Sequence, residues 1–406
     1  MKLAREYDLI LVLATCLTVF LGVTMIYSAT TDSSIWKNQT VFAICAFFVA
    51  ASIVYIPERI IYLLAYPVYS TSLILLVAVL IWGSGEPARW LTIGPLRLQP
   101  SEFAKVTTIL ALARYLGDRN ADRINDIKPF TISLLLTTLP MILVVKQPDL
   151  GTAVSFSAAL FPMLYWAGMR PIHFLFIIAP MLSVVFSFEP LWGSQNVAIV
   201  FAFFIIVSSV GILVVAKLWV ALTLLTVNLT AGLVTVFLWT EMLRDYQKAR
   251  ILTLLNPESD PLGAGWNIIQ SKIAIGSGGL MGKGFLEGTQ TNYEFLPASH
   301  TDFIFSVVGE ELGFSGAIVV LLLFVFVIWR SLEIGTMANN RFFSLTAIGL
   351  ASMITFHVFV NVGMTIGVMP VTGLPLPFMS YGGSSLATNF VAIGLLLHIY
   401  HYRNEY

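Results

Sequence analysis

The side chains able to do chemistry in this 406-residue chain are gathered in a few short polar segments. NPESDPLGAGW (256–266) carries two carboxylates, Glu258 and Asp260. Asp260 precedes Pro261 and stands three residues before Gly263, which is the spacing of a β-turn, and an acid ahead of proline also suits a helix cap. A carboxylate held in so rigid a turn has a second use, as a general base that takes a proton from an attacking hydroxyl. Glu258 is close enough to compete for that role. In RWLTIGPLRLQPSEFAK (89–105), Glu102 and Lys105 are three apart just after Pro100, so they share a helix face and can pair. The pair is either an ordinary helix start, with the acid favoured by the dipole, or a charged pair facing a cavity.

Smaller groups accompany these. Arg89 beside Trp90 can hold a phosphate over an aromatic platform or anchor the chain at a membrane interface. Lys146 and Asp149 flank QPDLG, where Lys146 can snorkel from a helix end and Asp149 can cap the next helix. In SHTD (299–302), Ser299 and Asp302 have the spacing of a capping box, and His300 reads as structural rather than as a metal ligand. Glu310 and Glu311 fall inside the following helix, with at least one expected to face the interior. Ser380, Tyr381, Gly382 and Gly383 either bring backbone N–H groups to a ligand or form a tight turn. The five histidines are scattered and no stretch has metal-ligand spacing. A divalent cation is therefore a possible aid without a readable ligand set.

The elements that must position these residues are membrane helices. Hydrophobic residues make up 57% of the chain, charged residues only 11%, and mean hydropathy is +0.86. A soluble domain carries about twice that charge. Apolar runs long enough to cross a bilayer core, which takes roughly 20 helical residues, fall near 8–29, 38–56, 60–82, 101–117, 130–146, 150–168, 171–188, 196–216, 218–240, 303–329, 342–366 and 384–401. The expected fold is an all-α polytopic bundle of about 12 transmembrane helices forming a single domain over 1–406. The runs are continuous, unlike the alternation of a β-barrel. The first run is long enough to span and lacks a cleavage signal, so it reads as a retained helix. Cys16 and Cys45 fall inside helices, which implies no disulfide framework.

Alternating helices put Lys2, Arg5, Arg59, Arg119, Arg123, Lys128, Arg170, Lys217, Arg330, Arg341 and Arg403 on one side. By the positive-inside rule that side is cytoplasmic, with both termini there. The polar segments then lie outside, including a loop of about sixty residues at 241–302, too long to be a mere connection. Arg89, Arg97, Arg244, Lys248, Arg250, Lys272 and Lys283 lie on the same unfavoured side, with Lys105 and Lys146 near it. Cations kept there suggest an anionic ligand, although long translocated loops also tolerate them. Within the loop, WNIIQSKIAIG has apolar residues at helical spacing with Lys272 on the other face, ended by the glycines at 276–279. No phosphate-binding G-x-x-x-x-G-K-[ST] is present, so ATP-driven transport is not indicated, and nothing points to nucleic acid.

Five segments in register resemble the SEDS family (shape, elongation, division and sporulation): RWLTIGPLRLQPSEFAK, KQPDLGT, NPESDPLGAGWNIIQSKIAIGSGGL, GKGFLEGTQTNYEFLPASHTDFIFSVVGEELGF and GLPLPFMSYGGSS. Together they cover most of the chain apart from roughly 171–240. The GTQ at 288–290 and IIQSKIAIGSGG look more like the elongation member than the division member. The resemblance implies a peptidoglycan glycosyltransferase of the bacterial cytoplasmic (inner) membrane, polymerising lipid II on its outer face beside a class B penicillin-binding transpeptidase. It places the family's essential carboxylate at Asp260 and its important Glu and Lys at Glu102 and Lys105. The expected step is deprotonation of the acceptor 4-hydroxyl by Asp260 and inverting displacement of undecaprenyl pyrophosphate. Arg89, Lys105 and Lys146 or Lys272 would stabilise that leaving group, and Asp149 and Ser380 would complete the substrate contacts. Two departures stand out: the family norm is ten helices, and the usual GARRW reads EPARW, so that one expected arginine is Ala88 here. A transporter of the lipid-linked precursor or a non-enzymatic scaffold are the competing readings. An outside carboxylate in a rigid turn favours an enzyme.

Overall fold

The computed structural model describes residues 8–30, 33–85, 88–94, 96–119, 124–215, 218–242, 248, 252, 265–292 and 295–404. Asp260 and Glu258 lie outside the described residues, as do Lys2, Arg5, Arg123, Lys217, Arg244 and Arg250. Apolar runs in a solvent that cannot satisfy backbone groups must form helices, and they do. In chain order these are α1 (Leu9–Ala29), α2 (Ser33–Val54), α3 (Glu58–Trp82), α4 (Pro100–Gly117), α5 (Ile127–Val145), α6 (Leu150–Trp166) and α7 (Pro171–Phe186). They continue as a single turn α8 (Glu189–Trp192), then α9 (Val197–Val215), α10 (Leu218–Phe237), α11 (Trp266–Ser277) and the short α12 (Thr289–Asn292). The last four are α13 (Ile304–Glu311), α14 (Gly313–Met337), α15 (Arg341–Thr365) and α16 (Gly383–Tyr402).

Twelve of these, among the described residues, run 16 to 25 residues and match the expected spans to within a few positions, the start of α2 and the span after 303 excepted. Eight described stretches are long and apolar enough to cross a membrane by themselves. The protein is a multi-pass membrane protein. Local caps start several helices: Asp8 accepts from Leu11 N at 3.0 Å, Asn340 from Phe343 N at 3.0 Å, and Pro100 occupies the first turn of α4.

The chain forms two compact units. The first comprises Met1–Gly168 and Asn267–Tyr406, the second Met169–Trp266. In the first unit α15 and α16 are central, with 72% and 83% of their most apolar windows buried, against 28–44% for α1, α2, α3, α5 and α14. α4 packs beside them and is buried along nearly its whole length. The second unit is α7 to α10, joined by the Ser183 hydroxyl donating to the Asn228 carbonyl at 2.5 Å and by Phe186 stacked on Phe204 at 4.8 Å. α10 ends in a π-helical turn, Leu238–Met242.

Two expectations need correction. The span read as 303–329 is broken between α13 and α14 at Gly313, whose φ is +66°. The segment 279–284 replaces the interrupted helical bonds: Lys283 N and Gly284 N donate to the Glu310 and Glu311 carbonyls, while Phe314 N and Ser315 N donate to those of Gly279 and Leu280. The SHTD capping box does not form. Phe303 is the cap residue of α13 and no side chain caps it. The carbonyls of His300, Thr301 and Asp302 instead accept from Tyr381 N, Ser380 Oγ and Asn361 Nδ2. The helix read at WNIIQSKIAIG forms as α11; it packs on α13 through Ser271 and Ser306, whose hydroxyls are 2.6 Å apart, and just past its end a Cβ on Gly278 would lie 2.0 Å from the Gly309 carbonyl oxygen. Between α3 and α4 the chain adds an unforeseen hairpin of β1 (Leu91–Ile93) and β2 (Leu96–Leu98), paired antiparallel with Thr92 opposite Arg97.

Candidate active site

Two clusters of charge form at one end of the first unit, and α15 supports both. The first joins α4 to α15. Lys105 Nζ donates to Glu102 Oε1 at 2.9 Å and reaches His357 Nε2 at 3.1 Å. Glu102 and Lys105 are 3% and 2% exposed, so the pair faces the protein rather than lipid or water. An ammonium only donates, so His357 Nε2 must accept and the ring proton sits on Nδ1. That Nδ1 faces the Pro375 carbonyl without reaching hydrogen-bond geometry. Burying three such groups costs several kcal/mol in desolvation that their mutual contact only partly offsets. Glu102 does lie in the first turn of the helix, as an ordinary start would have it, and the pair is also buried against α15.

The second cluster joins the hairpin, the α5–α6 turn and the segment before α13. Arg89 NH1 lies 3.7 Å from Asp149 Oδ2, its Nε donates to the Gln147 carbonyl at 3.3 Å, and its NH2 donates to the Pro148 carbonyl. Asp149 also caps α6, accepting from Thr152 N at 3.2 Å and Thr152 Oγ1 at 2.9 Å, and it accepts from Gln99 Nε2 at 3.3 Å. The carboxylate therefore caps α6, as its spacing suggested, and pairs with Arg89 as well. Asp302 completes the group. Burial pushes its carboxyl up to about 6, the Asp149 charge adds to the rise, and the Arg89 guanidinium opposes it. Its carbonyl is held by Asn361 Nδ2 at 2.8 Å, and the same amide donates to the Leu374 carbonyl at 2.8 Å. Asn361 is one turn beyond His357, so one face of α15 anchors both clusters.

The remaining expected residues fall into two kinds. Ser380 is buried, its hydroxyl donates to the Thr301 carbonyl at 2.6 Å and accepts from Leu376 N at 2.8 Å, and its carbonyl accepts from Gln39 Nε2 at 3.0 Å. These bonds tie it to the segment that carries Asp302. Lys146 at the end of α5 and Lys272 on α11 are exposed and make no ion pair among the described residues; the Lys272 stem lies over Gly367. Glu310 and Glu311 are both buried. Glu310 Oε1 gathers Lys283 Nζ at 2.6 Å, Thr289 N at 2.9 Å and Gln290 N at 3.1 Å, while Glu311 accepts from Ser28 Oγ at 2.5 Å. They clamp the end of the 279–290 segment onto the helix break. His300 is half-buried beside the Tyr381 ring, and burial lowers its pKa. Among the described residues no three His, Cys, Asp or Glu side chains are grouped to hold a metal.

His357, Asn361 and Asp302 are the site residues that local sequence reasoning missed. The first two stand four apart in an otherwise apolar helix, a pattern that in a membrane marks an inward polar face.

Buried charge at one end of a multi-pass helical bundle defines a membrane protein built around a polar, anion-compatible site. The comparisons make that class specific. Residues 8–196 and 193–405 match the FtsW/RodA/SpoVE family, described as cell cycle protein, and the chain belongs to this family. It is 40% identical over 334 residues to peptidoglycan glycosyltransferase RodA of Treponema pallidum, covering 76% of each chain. It is 38% identical over 350 residues to peptidoglycan glycosyltransferase MrdB of Escherichia coli, covering 86% of this chain and 80% of that one. Among solved structures, it matches a chain of a peptidoglycan synthase complex with TM-score 0.76 at 30% identity, over 98% of this chain and 99% of the other. It also matches the rod shape determining protein RodA of Thermus thermophilus with TM-score 0.65 at 27% identity, over 98% of both chains. This is a SEDS-family protein of the RodA type.

Proposed function

We infer that this chain is a peptidoglycan glycosyltransferase that polymerises lipid II into glycan strands for rod elongation and cell-shape maintenance. The relatives named for that activity align over most of this chain and of their own length. The observation that carries the reading to this chain's own residues is the buried Glu102–Lys105–His357 group. A scaffold has no reason to bear the desolvation of three polar groups, whereas a site for a pyrophosphate leaving group needs a cation held away from water.

In the proposed step Asp260 takes the proton from the acceptor 4-hydroxyl, the oxygen attacks the donor anomeric carbon with inversion, and undecaprenyl pyrophosphate departs. Arg89 and Lys105 stabilise the charge developing on the leaving group; Lys146 and Lys272, both exposed, act on the approaching substrate. Glu102 and His357 orient Lys105, and Asp149 orients Arg89. The chain works in the bacterial cytoplasmic (inner) membrane with both termini inside and the polar segments outside, as the distribution of Lys and Arg supports. Its partner is a class B penicillin-binding transpeptidase, in keeping with a structural neighbour that belongs to a peptidoglycan synthase complex.

The test is to place the purified protein with its transpeptidase in vesicles holding lipid II. Glycan polymer is expected. Movement of lipid II across the bilayer with no polymer would replace the enzyme by a transporter.

A further inference from the structure

At the end of the first unit opposite both charge clusters, the start of α3, the end of α4 and the start of α15 surround a cavity of about 380 Å³. Its lining mixes charges of both signs with aromatic rings: Glu58 and Asp118, Arg59 and Arg341, Tyr62 and Phe342. Asp118 Oδ1 accepts from the Tyr62 hydroxyl at 2.7 Å and Glu58 Oε1 from Asn339 Nδ2 at 2.7 Å. Arg341 donates to the Arg119 and Ala167 carbonyls. Those partners are neutral, so they orient the charged groups without neutralising them. Arg59 makes no hydrogen bond or ion pair among the described residues. The aromatic wall is fixed: the Arg114 guanidinium lies 4.5 Å from the Tyr62 ring and 4.5 Å from the Tyr66 ring, and Tyr62 meets Phe342 edge-on at 5.3 Å. Leu63, one turn from Arg59 on the same face of α3, is 50% exposed. The charged cavity therefore continues into apolar helix surface.

We propose that this cavity holds the headgroup of a phospholipid carrying both a phosphate and a primary ammonium, with its acyl chains along α3. Charge complementarity selects that chemistry. Arg59 and Arg341 present guanidinium groups with no carboxylate bound to them, and guanidinium is the side-chain group best shaped for a phosphate. Asp118 and Glu58 repel a purely anionic headgroup but accept from an ammonium, which brings three N–H donors. A quaternary ammonium brings none, so a choline headgroup forgoes those bonds. A polar peptide would match the charges, but the cavity lies at the ends of membrane-crossing helices beside apolar surface, where lipid is always at hand. Position gives occupancy a consequence. α4 runs about 20 Å from the cavity to Glu102 and Lys105, and α15 runs beside it to His357 and Asn361. At the cavity the two helices are in close contact, since a Cβ on Gly117 would lie 3.2 Å from the Phe342 Cα. A bound headgroup braces the far ends of the helices that carry the buried Glu102–Lys105–His357 group. The binding itself is independent of the glycosyltransferase reading.

The test is native mass spectrometry of the full chain with phosphatidylethanolamine, phosphatidylcholine and phosphatidylglycerol supplied in equal amounts. The ethanolamine lipid should be retained about tenfold over either of the others, the worth of one hydrogen bond between charged groups. Asp118→Asn keeps an acceptor for Tyr62 while removing the charge, and should bring the ethanolamine lipid down to the choline level. Arg59→Ala should weaken all three lipids alike. Lys128→Ala, at an exposed cation near the start of α5 and outside the cavity, should change nothing. Equal retention of ethanolamine and choline lipids, a preference for the glycerol lipid, or a preference that survives Asp118→Asn would each overturn the proposal. Melting curves report whether the variants fold. If Asp118→Asn does not, Arg59→Ala decides alone, and wild-type retention of the ethanolamine lipid by that variant would contradict the site.

Discussion

The two units of the molecule treat polar side chains in opposite ways. The first buries Glu102, Lys105, His357, Asp149, Asn361, Glu310 and Glu311, nearly all of them matched to a partner. In the second, the buried polar side chains among the described residues are Ser183, Ser187 and Asn228, and the Asn228 amide has no partner. Lipid gives no reward for burying charge, and a buried ion pair is often less stable than an apolar replacement of equal volume. The contrast locates the buried charge: the first unit carries groups that stability alone would have discarded, while the described helices of the second are apolar and Asp260, within that unit's span, lies outside the described residues.

Substitutions in the first unit should reveal that contrast most strongly at Lys105. Lys105→Ala leaves Glu102 buried without its cation, and about 3–5 kcal/mol of stability should be lost with polymerisation down at least about a hundredfold. The sharper variant is the pair Glu102→Met with Lys105→Leu, which should recover thermal stability without recovering polymer. If activity returned with stability, the pair would be structural only.

Arg89→Ala should cost about tenfold in polymerisation, seen in kcat/KM for lipid II, because a partly exposed cation is screened. Asp302 adds a pH dependence to the same cluster. Its carboxyl is raised to about 6, so it is neutral below that and the cluster is then more positive. Binding of a pyrophosphate group should strengthen as pH falls through about 6 and weaken above it, and Asp302→Asn should flatten the profile. The sign for folding is the same: a raised acid contributes stability that is complete below its unfolded pKa and lost as pH rises through about 6.

Two effects on stability come next. Gly278→Ala forces a Cβ against the Gly309 carbonyl and should cost about 1–3 kcal/mol, read as a lower melting temperature. Asn228→Leu in the second unit should be neutral or slightly stabilising, since it removes a buried amide that has no partner. A large loss of polymerisation at Asn228→Leu would break the division between the units.

Most of the helices were legible, because continuous apolar runs in lipid leave the backbone one choice. Glu102 and Lys105 were legible from their three-residue spacing. What escaped was decided by partners distant in sequence. Nothing around Gly313 announces that residues 279–284 will supply its missing helical bonds. SHTD looks like a cap because the residues that capture its carbonyls, Asn361, Ser380 and Tyr381, lie some sixty to eighty positions on. His357 and Asn361 sit in so apolar a run that only their four-residue spacing hinted at an inward polar face. Nothing in the sequence showed that the Ser380 hydroxyl would bridge Thr301 and Leu376.

The central claim is that this chain joins sugars with Asp260 as base, and polymerisation of purified lipid II by wild type and Asp260→Ala tests it most directly. With both proteins at equal melting temperature, the wild type should form glycan strands and the variant should be slower by at least about a hundredfold. Equal rates would contradict the assignment.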